Sequence, residues 1–299
     1  MVDYKQHLYN WLVRHGVQRP VVIRPGPAPV RPPIAIVTAF FGKTPIWAPV
    51  FFVTARKNPD VQFFVYTDLD DLDSGGAKNV TLKPLTIADF NRKATEAIGT
   101  PIEVQHHLAK MSDLKPAYGM IFADDLQGFP YWAYTDFDVA WGDIRKFLTD
   151  ELLHAHDIIS SRTDRLCGHF TLFRNTPEYN RTYELIPDVI RAMGHYTHFH
   201  LDETVLTKYL KKATGKWPLA STARVYWKSD WTIDAKYQRV IGEDPSDRLW
   251  WRDGKTFDVE GREMMYLHFH KLKKEMNTIN FGAGDSPAAF SISRQGILA

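Results

Sequence analysis

In Tyr131-Trp-Ala-Tyr-Thr-Asp136-Phe-Asp138, a run of strand length rich in aromatics leads straight into two acids spaced i, i+2. In an extended segment that spacing points both carboxylates the same way. Two carboxylates on one side repel each other unless a cation sits between them. A hard divalent ion with oxygen ligands relieves that repulsion and can grip phosphate oxygens as well. The competing reading is a turn whose acid caps a helix starting near Gly142-Asp143. The spacing also recurs by chance. Asp68-Leu-Asp70 and Asp71-Leu-Asp73 share it, but they sit in an acidic loop followed by glycine and are expected to be solvated. The pair at 136 and 138 stands apart by its context, with a hydrophobic strand before it and Val139-Ala-Trp141 after it.

Working upstream, Ile34-Ala-Ile-Val-Thr-Ala-Phe-Phe41 is a continuous apolar run, the mark of a strand covered on both faces. A helix is expected around Trp47 to Arg56 and a second buried strand over Val61 to Tyr66, ending at Thr67-Asp68. Val80 to Leu85 suits a third strand. Ile87 to Gln127 reads as mostly helical, broken near Gly99-Thr-Pro101 and at Lys115-Pro116. Strands alternating with helices predict a wound α/β domain with a mixed, mostly parallel sheet flanked by helices. Ligands of such sheets sit beyond the carboxyl ends of the strands, where Asp68 and the pair Asp136/Asp138 lie.

This domain is expected over residues 34–281. Before it, Tyr4, Leu8, Trp11 and Leu12 share a helical face behind Asp3, and six prolines fall between Pro20 and Pro33. Residues 1–33 therefore read as a short amphipathic helix and an extended linker. After it, residues 282–299 carry Gly, Ser and Pro with little periodicity and read as a loosely ordered tail.

Composition excludes several classes. The 37 basic and 35 acidic residues nearly cancel, which disfavours a nucleic-acid partner. No stretch approaches the run of about 20 apolar residues that a membrane span needs. The first ten residues are charged and do not form a signal peptide. A single cysteine, Cys167, leaves no internal disulfide and suits a reducing compartment, so a cytoplasmic protein is expected. The 9 Trp, 13 Tyr and 18 Phe fill a core and could also line a sugar or nucleobase site.

Far downstream, Tyr266-Leu-His-Phe-His-Lys-Leu-Lys-Lys274 places His268 and His270 in alternation ahead of Lys271, Lys273 and Lys274. Such a cluster makes sense beside an anionic ligand. An imidazole added to two carboxylates is a donor set that Mn²⁺ accepts readily.

Taken in order, these motifs resemble a known family. Lys115-Pro-Ala-Tyr-Gly119, Trp132 to Asp138, Gly168-His-Phe-Thr-Leu-Phe-Arg-Asn175, Asp202-Glu-Thr-Val-Leu-Thr-Lys-Tyr-Leu210 and the late His-x-His-Lys run look like GT-A fold glycosyltransferases. The likeness is to bacterial enzymes of polysaccharide and lipopolysaccharide clusters, and more distantly to the glycogenin-like and galactosyltransferase group. It spans Ile34 to Lys274. The motifs are specific as an ordered set and weak singly.

The resemblance implies that Asp136, Asp138 and His268 hold Mn²⁺ or Mg²⁺ and, through it, the diphosphate of a nucleotide-sugar donor, UDP-linked by preference. It implies that Lys274 contacts the diphosphate, that Thr38, Phe40 and Asp68 hold base and ribose, and that Lys115 lies near the donor. Gly168 and His169 would border the sugar and the acceptor. Asp202-Glu203 would sit beside the anomeric carbon, where distant relatives often have Asp-Gln. A carboxylate there can serve as a base in inversion or as a nucleophile or electrostatic support in retention, so the stereochemistry stays open. For Asp202 the rival role is a helix N-cap before Thr204 to Leu210.

The implied partners are a nucleotide sugar and a glycan or glycolipid acceptor, with peripheral contact at the inner face of a membrane. Three rival functions fit the sequence less well. A sugar-nucleotide pyrophosphorylase would carry a Gly-rich loop after the first strand, where Thr38-Ala-Phe-Phe-Gly-Lys-Thr-Pro45 has one glycine. A metal-dependent phosphohydrolase would show a dense His/Asp cluster. A non-catalytic carbohydrate-binding module would not need the acids, the late histidine and the lysines together. The loops Asp164 to Cys167 and His195 to His200 are the places to expect acceptor specificity.

Overall fold

The computed structural model describes residues 31–104, 108–213, 224–234 and 249–299. The expected N-terminal helix lies outside the described residues. The chain is a mixed α/β protein that divides into two compact units. One contains 31–35, Thr86–Tyr134 and Asp150–Lys228, and the other contains Ile36–Leu85, Thr135–Thr149 and Ser229–Ala299.

The strands expected from the apolar runs form, as Ile34–Phe40, which belongs to the second unit from Ile36 on, and, within that unit, Val61–Thr67 and Val80–Pro84. The latter two pair in parallel, from Phe63 opposite Val80 to Thr67 opposite Pro84. The helix Ala48–Ala55 carries Pro49 in its first turn, and every other residue in it is buried. A helix apolar all round is covered all round, and this one is. Its end is tied down by Asn58, whose side-chain amide donates to Gly142 O (2.9 Å) and whose carbonyl oxygen accepts from Ile144 N (2.9 Å).

Two smaller sheets complete that unit. Val139–Trp141 pairs antiparallel with Tyr266–His268, which pairs in parallel with Thr232–Asp234. Six strands from Leu249 to Leu298 form the other sheet. Here the loose tail expected over 282–299 is corrected. Ala289–Ile292 pairs with Leu249–Arg252, and Gly296–Leu298 pairs with Ala289–Ile292. Phe290, Ile292 and Ile297 are buried, and the Phe290 ring stacks on Trp251 at 4.8 Å. That burial gives the segment an apolar reason to order.

In the first unit, Thr86 caps the helix Ile87–Ile98 by accepting from Asp89 N (3.1 Å), and Gly99 ends it at φ 80°. Beyond it the helical region is broken as expected, into short turns over Leu108–Lys110, Met111–Leu114, Lys115–Ala117 and Tyr118–Ile121. Tyr131–Thr135, Phe170–Arg174, Ile158–Ser160 and Val225–Tyr226 follow one another across the sheet. A π-helical turn, Leu201–Val205, leads into the helix Leu206–Ala213. No helix among the described residues is long and apolar enough to cross a membrane.

Candidate metal centre and active-site residues

The acidic pair is held by the residue between its members. Phe137 is 3% exposed and turns into an aromatic cluster, with ring centroids 4.9 Å from Phe51, 5.0 Å from Phe40 and 5.4 Å from Trp47. With Phe137 anchored there, both flanking carboxylates face His268. The imidazole arrives by sheet register: His268 lies opposite Val139, one residue past Asp138, and Phe269 N donates to Asp138 O at 2.9 Å. His268 Nε2 is 3.5 Å from Asp136 Oδ2 and 3.3 Å from Asp138 Oδ2. The capping role weighed for this pair falls instead to Asp143, which accepts from Lys146 N at the start of Ile144–Phe147.

Lys273 joins the group, donating to Asp138 Oδ2 at 2.6 Å. It comes from the turn His270–Lys274, which opens on a left-handed His270 at φ 47°. Lys274 is exposed on the same turn. Burial by itself would raise the Asp138 carboxyl. The charges and hydrogen bonds of His268 and then Lys273 outweigh it and hold Asp138 well below the usual carboxylate range.

The ligand atoms that Asp136, Asp138 and His268 can offer all lie within 4.8 Å of one another. Two carboxylates and one imidazole suit Mn²⁺, and the carboxylates suit Mg²⁺. The Lys273 ammonium stands in for a cation at Asp138. These residues fit such an ion.

Of the other residues expected to bind donor, Thr38 is buried in its strand. Phe40 packs its ring on Phe137 and on Trp47. Asp68 is exposed and accepts from Gly42 N at 3.0 Å. Asp70, Asp71 and Asp73 are exposed, as expected of a solvated loop.

In the first unit a second group assembles around Gly168. The Lys115 ammonium donates to Gly168 O at 2.7 Å and lies 3.8 Å from Asp202 Oδ2, and Glu203 Oε1 accepts from Gly168 N at 2.8 Å. A Cβ at Gly168 would fall 2.7 Å from Asp202 Oδ2 and 2.8 Å from Glu203 Cγ, so glycine is what lets both acids close on this backbone. Tyr134 donates its hydroxyl to Asp202 O at 3.0 Å, and burial, then the Asp202 charge, push that hydroxyl above its ordinary range and keep it protonated. His169 is buried, its ring 3.2 Å from Cys167 Sγ. Asp202 is not a helix cap. The helical segment opens earlier, at Leu201 behind a left-handed His200, and Asp202 lies inside the π-helical turn.

Three residues escaped the sequence reading. Lys273 was one lysine among three. Lys110 and Asp113 form a buried ion pair at 2.9 Å that no motif in the sequence singles out. Asp113, His198 and Asp202 also offer ligand atoms within 4.8 Å of one another.

The chain belongs to a family of unknown function, DUF6625, whose model matches residues 36–298. No curated protein matches it. Among solved structures, the chain is similar to mouse xyloside xylosyltransferase 1 in its apo form, at 12% identity and a TM-score of 0.41 over 81% of this chain and 99% of that one. It is similar to the galactosyltransferase LgtC in complex with donor and acceptor sugar analogues, at 11% and 0.39 over 79% of this chain and 86% of that one. It is also similar to the bifunctional glycosyltransferase WbbM, at 9% and 0.44 over 80% of this chain and 46% of that one. Identities and scores this low assign no activity.

Proposed function

We propose that the chain is a metal-dependent GT-A glycosyltransferase that moves a hexose from a nucleoside-diphosphate sugar, UDP-linked by preference, to a hydroxyl of a glycan or glycolipid. The observation that carries this reading is the meeting of Asp136, Asp138 and His268, drawn from two distant segments, with their ligand atoms within 4.8 Å of one another. Mn²⁺ or Mg²⁺ held there would neutralise the donor diphosphate and stabilise it as a leaving group. The chain's own cations add to this: Lys273 is already at Asp138, and Lys274, beside it, is assigned to the diphosphate. Thr38, Phe40 and Asp68 are assigned to base and ribose.

The group around Gly168 is assigned to the sugar and the acceptor, with Gly168 and His169 bordering them and Lys115 on the donor side. Glu203 is the proposed catalytic carboxylate. Its bond to Gly168 N fixes its orientation, so that it can take the acceptor proton in inversion or support the sugar in retention. Asp202, balanced by Lys115, supports it. The reading extends to a cytoplasmic reaction in polysaccharide synthesis, at the inner face of the membrane where the acceptor is a glycolipid.

Calorimetry with UDP, with and without Mn²⁺, tests the proposal on the full chain and on Asp136→Ala and Asp138→Ala. Mn²⁺-dependent UDP affinity in the parent and its loss in both variants is expected. Undiminished metal-dependent affinity in the variants refutes the metal role, and a parent indifferent to Mn²⁺ points to a binding module instead.

A further inference from the structure

We propose that Tyr196 and Phe199, with His195 between them, form an aromatic ledge that binds a pyranose ring of the acceptor glycan; the word acceptor rests on the reading above, the sugar site does not. Among the described residues five large apolar side chains are exposed, and two of them stand on this one short segment. Tyr196 is 72% exposed and Phe199 40%. His195 stacks on Tyr196 (centroids 4.4 Å, 27° between planes) and meets Phe199 at 5.6 Å. Flat aromatic faces held in the open match the apolar C–H face of a pyranose, while Tyr196 keeps a hydroxyl at the rim for the sugar's polar edge. A clustered exposed patch of this kind marks a contact surface.

The second observation is what holds the ledge. Lys110 and Asp113 have side chains 2% and 0% exposed. The ammonium has three donors, and they go to Asp113 Oδ2 (2.9 Å), Ala192 O (2.7 Å) and Thr197 O (3.0 Å). The Asp113 carboxylate accepts from Phe199 N and from Leu201 N, both at 2.8 Å. Lys110 also lies 5.1 Å over the Phe199 ring. A buried ion pair is a poor source of stability, since desolvation offsets most of its attraction. Here its hydrogen bonds go to the backbone of one exposed segment, which fixes where the aromatics stand. A left-handed His200 at φ 57° is kept by the same clamp.

The third is connection. The clamped segment runs without a break into Leu201–Val205, which carries Asp202 and Glu203. A sugar on the ledge is therefore joined through the clamped backbone to the segment that carries the proposed catalytic carboxylate. This is the requirement for aligning an acceptor hydroxyl.

Saturation-transfer NMR on the full chain, with methyl glycosides of galactose, glucose, mannose and N-acetylglucosamine as probes, tests the ledge. At least one glycoside should receive saturation on ring C–H protons. Its affinity should fall about fivefold in the Tyr196→Ala, Phe199→Ala double variant, the loss expected of an aromatic contact. Tyr196→Phe should keep most of it. Because Tyr196 is exposed, the single variant Tyr196→Ala should keep the parent's urea midpoint and still show the drop, which separates the result from misfolding. The UDP and Mn²⁺ titration on the same samples should not change. No glycoside signal on the parent, or an undiminished signal in the double variant, overturns the ledge. A parent that binds glycosides through Tyr196 but ignores UDP and Mn²⁺ sinks the enzyme reading and leaves the sugar site standing.

Discussion

Replacing Lys273 with Met should make the protein bind Mn²⁺ more tightly. The Lys273 ammonium sits 2.6 Å from Asp138 Oδ2, with 39% of its side chain exposed and 5% of the aspartate's. A charged hydrogen bond is worth about 1.5–3 kcal/mol and a solvated ion pair about 0.2–1 kcal/mol, so the half-open lysine puts this contact near 1 kcal/mol. An entering cation must displace or share that contact. Methionine keeps much of the aliphatic stem and removes the charge. Relief of about 1 kcal/mol is about a fivefold gain in Mn²⁺ affinity. Lys274→Met is the control. Its side chain is exposed on the same turn, so Mn²⁺ alone should bind as in the parent, while UDP in saturating Mn²⁺ should bind about fivefold more weakly from loss of a phosphate contact. Calorimetry with Mn²⁺ alone, then with UDP at fixed Mn²⁺, reads both. Unchanged or weaker Mn²⁺ binding in Lys273→Met would refute the idea that the lysine holds the cation's place at Asp138.

Phe137→Ala should cost about 3–5 kcal/mol in urea unfolding, since a buried ring is lost from the Phe40, Phe51 and Trp47 cluster. It should also weaken Mn²⁺ binding by freeing the acids it anchors, and a loss under 1 kcal/mol counts against that anchoring. Gly168→Ala puts a methyl 2.7 Å from Asp202 Oδ2 on a backbone pinned from both sides, so donor hydrolysis should fall about tenfold or more with UDP affinity kept. Full activity in that variant would mean that the two acids can move aside without consequence. Asp157 would be raised by burial, but hydrogen bonds from Arg224 and Arg174 hold it below the ordinary carboxylate range. A depressed native pKa adds stability above the unfolded value of about 4, which is lost as pH falls through the native one. Asp157→Asn should therefore cost about 1 kcal/mol at neutral pH, allowing for screening at half-exposed Arg224, with the gap to the parent closing under acid.

What could be read in the sequence and what could not divide along a physical line. Ile34–Phe40, Val61–Thr67 and Tyr131–Thr135 were legible because strands buried on both faces need apolar residues at every position. The convergence of Asp136 and Asp138 was legible from their i, i+2 spacing around an apolar Phe137, although the strand ends at Thr135 and a bend carries the pair. The choice between Lys273 and Lys274 was not, because it depends on a tight turn entered through a left-handed histidine, and residue spacing carries no trace of that. The π-helical start at Leu201 was missed for a similar reason: it widens the first turn and moves Asp202 out of the capping position that ordinary helical counting gave it. Ala289–Ile292 looked loose because its partner, Leu249–Arg252, is distant in sequence, and a strand of four residues shows little period of its own.

The exposure of the cations separates the two groups of metal-ligand type. Asp113 and Asp202 face two buried ammoniums, Lys110 and Lys115, and both carboxylates of the trio with His198 are thereby matched. The Lys110 donors are spent, and Asp113 already takes two backbone amides. A divalent ion there would have to break a satisfied buried network, which costs several kcal/mol. Asp138 has the Lys273 ammonium, on a side chain 39% exposed that can swing into water, and the His268 imidazole faces both acids. That group keeps a removable cation. The same ligand types at the same spacing therefore predict opposite behaviour. Mn²⁺ should be lost with Asp138→Ala and kept with His198→Ala, and the reverse result would move the metal to the other unit.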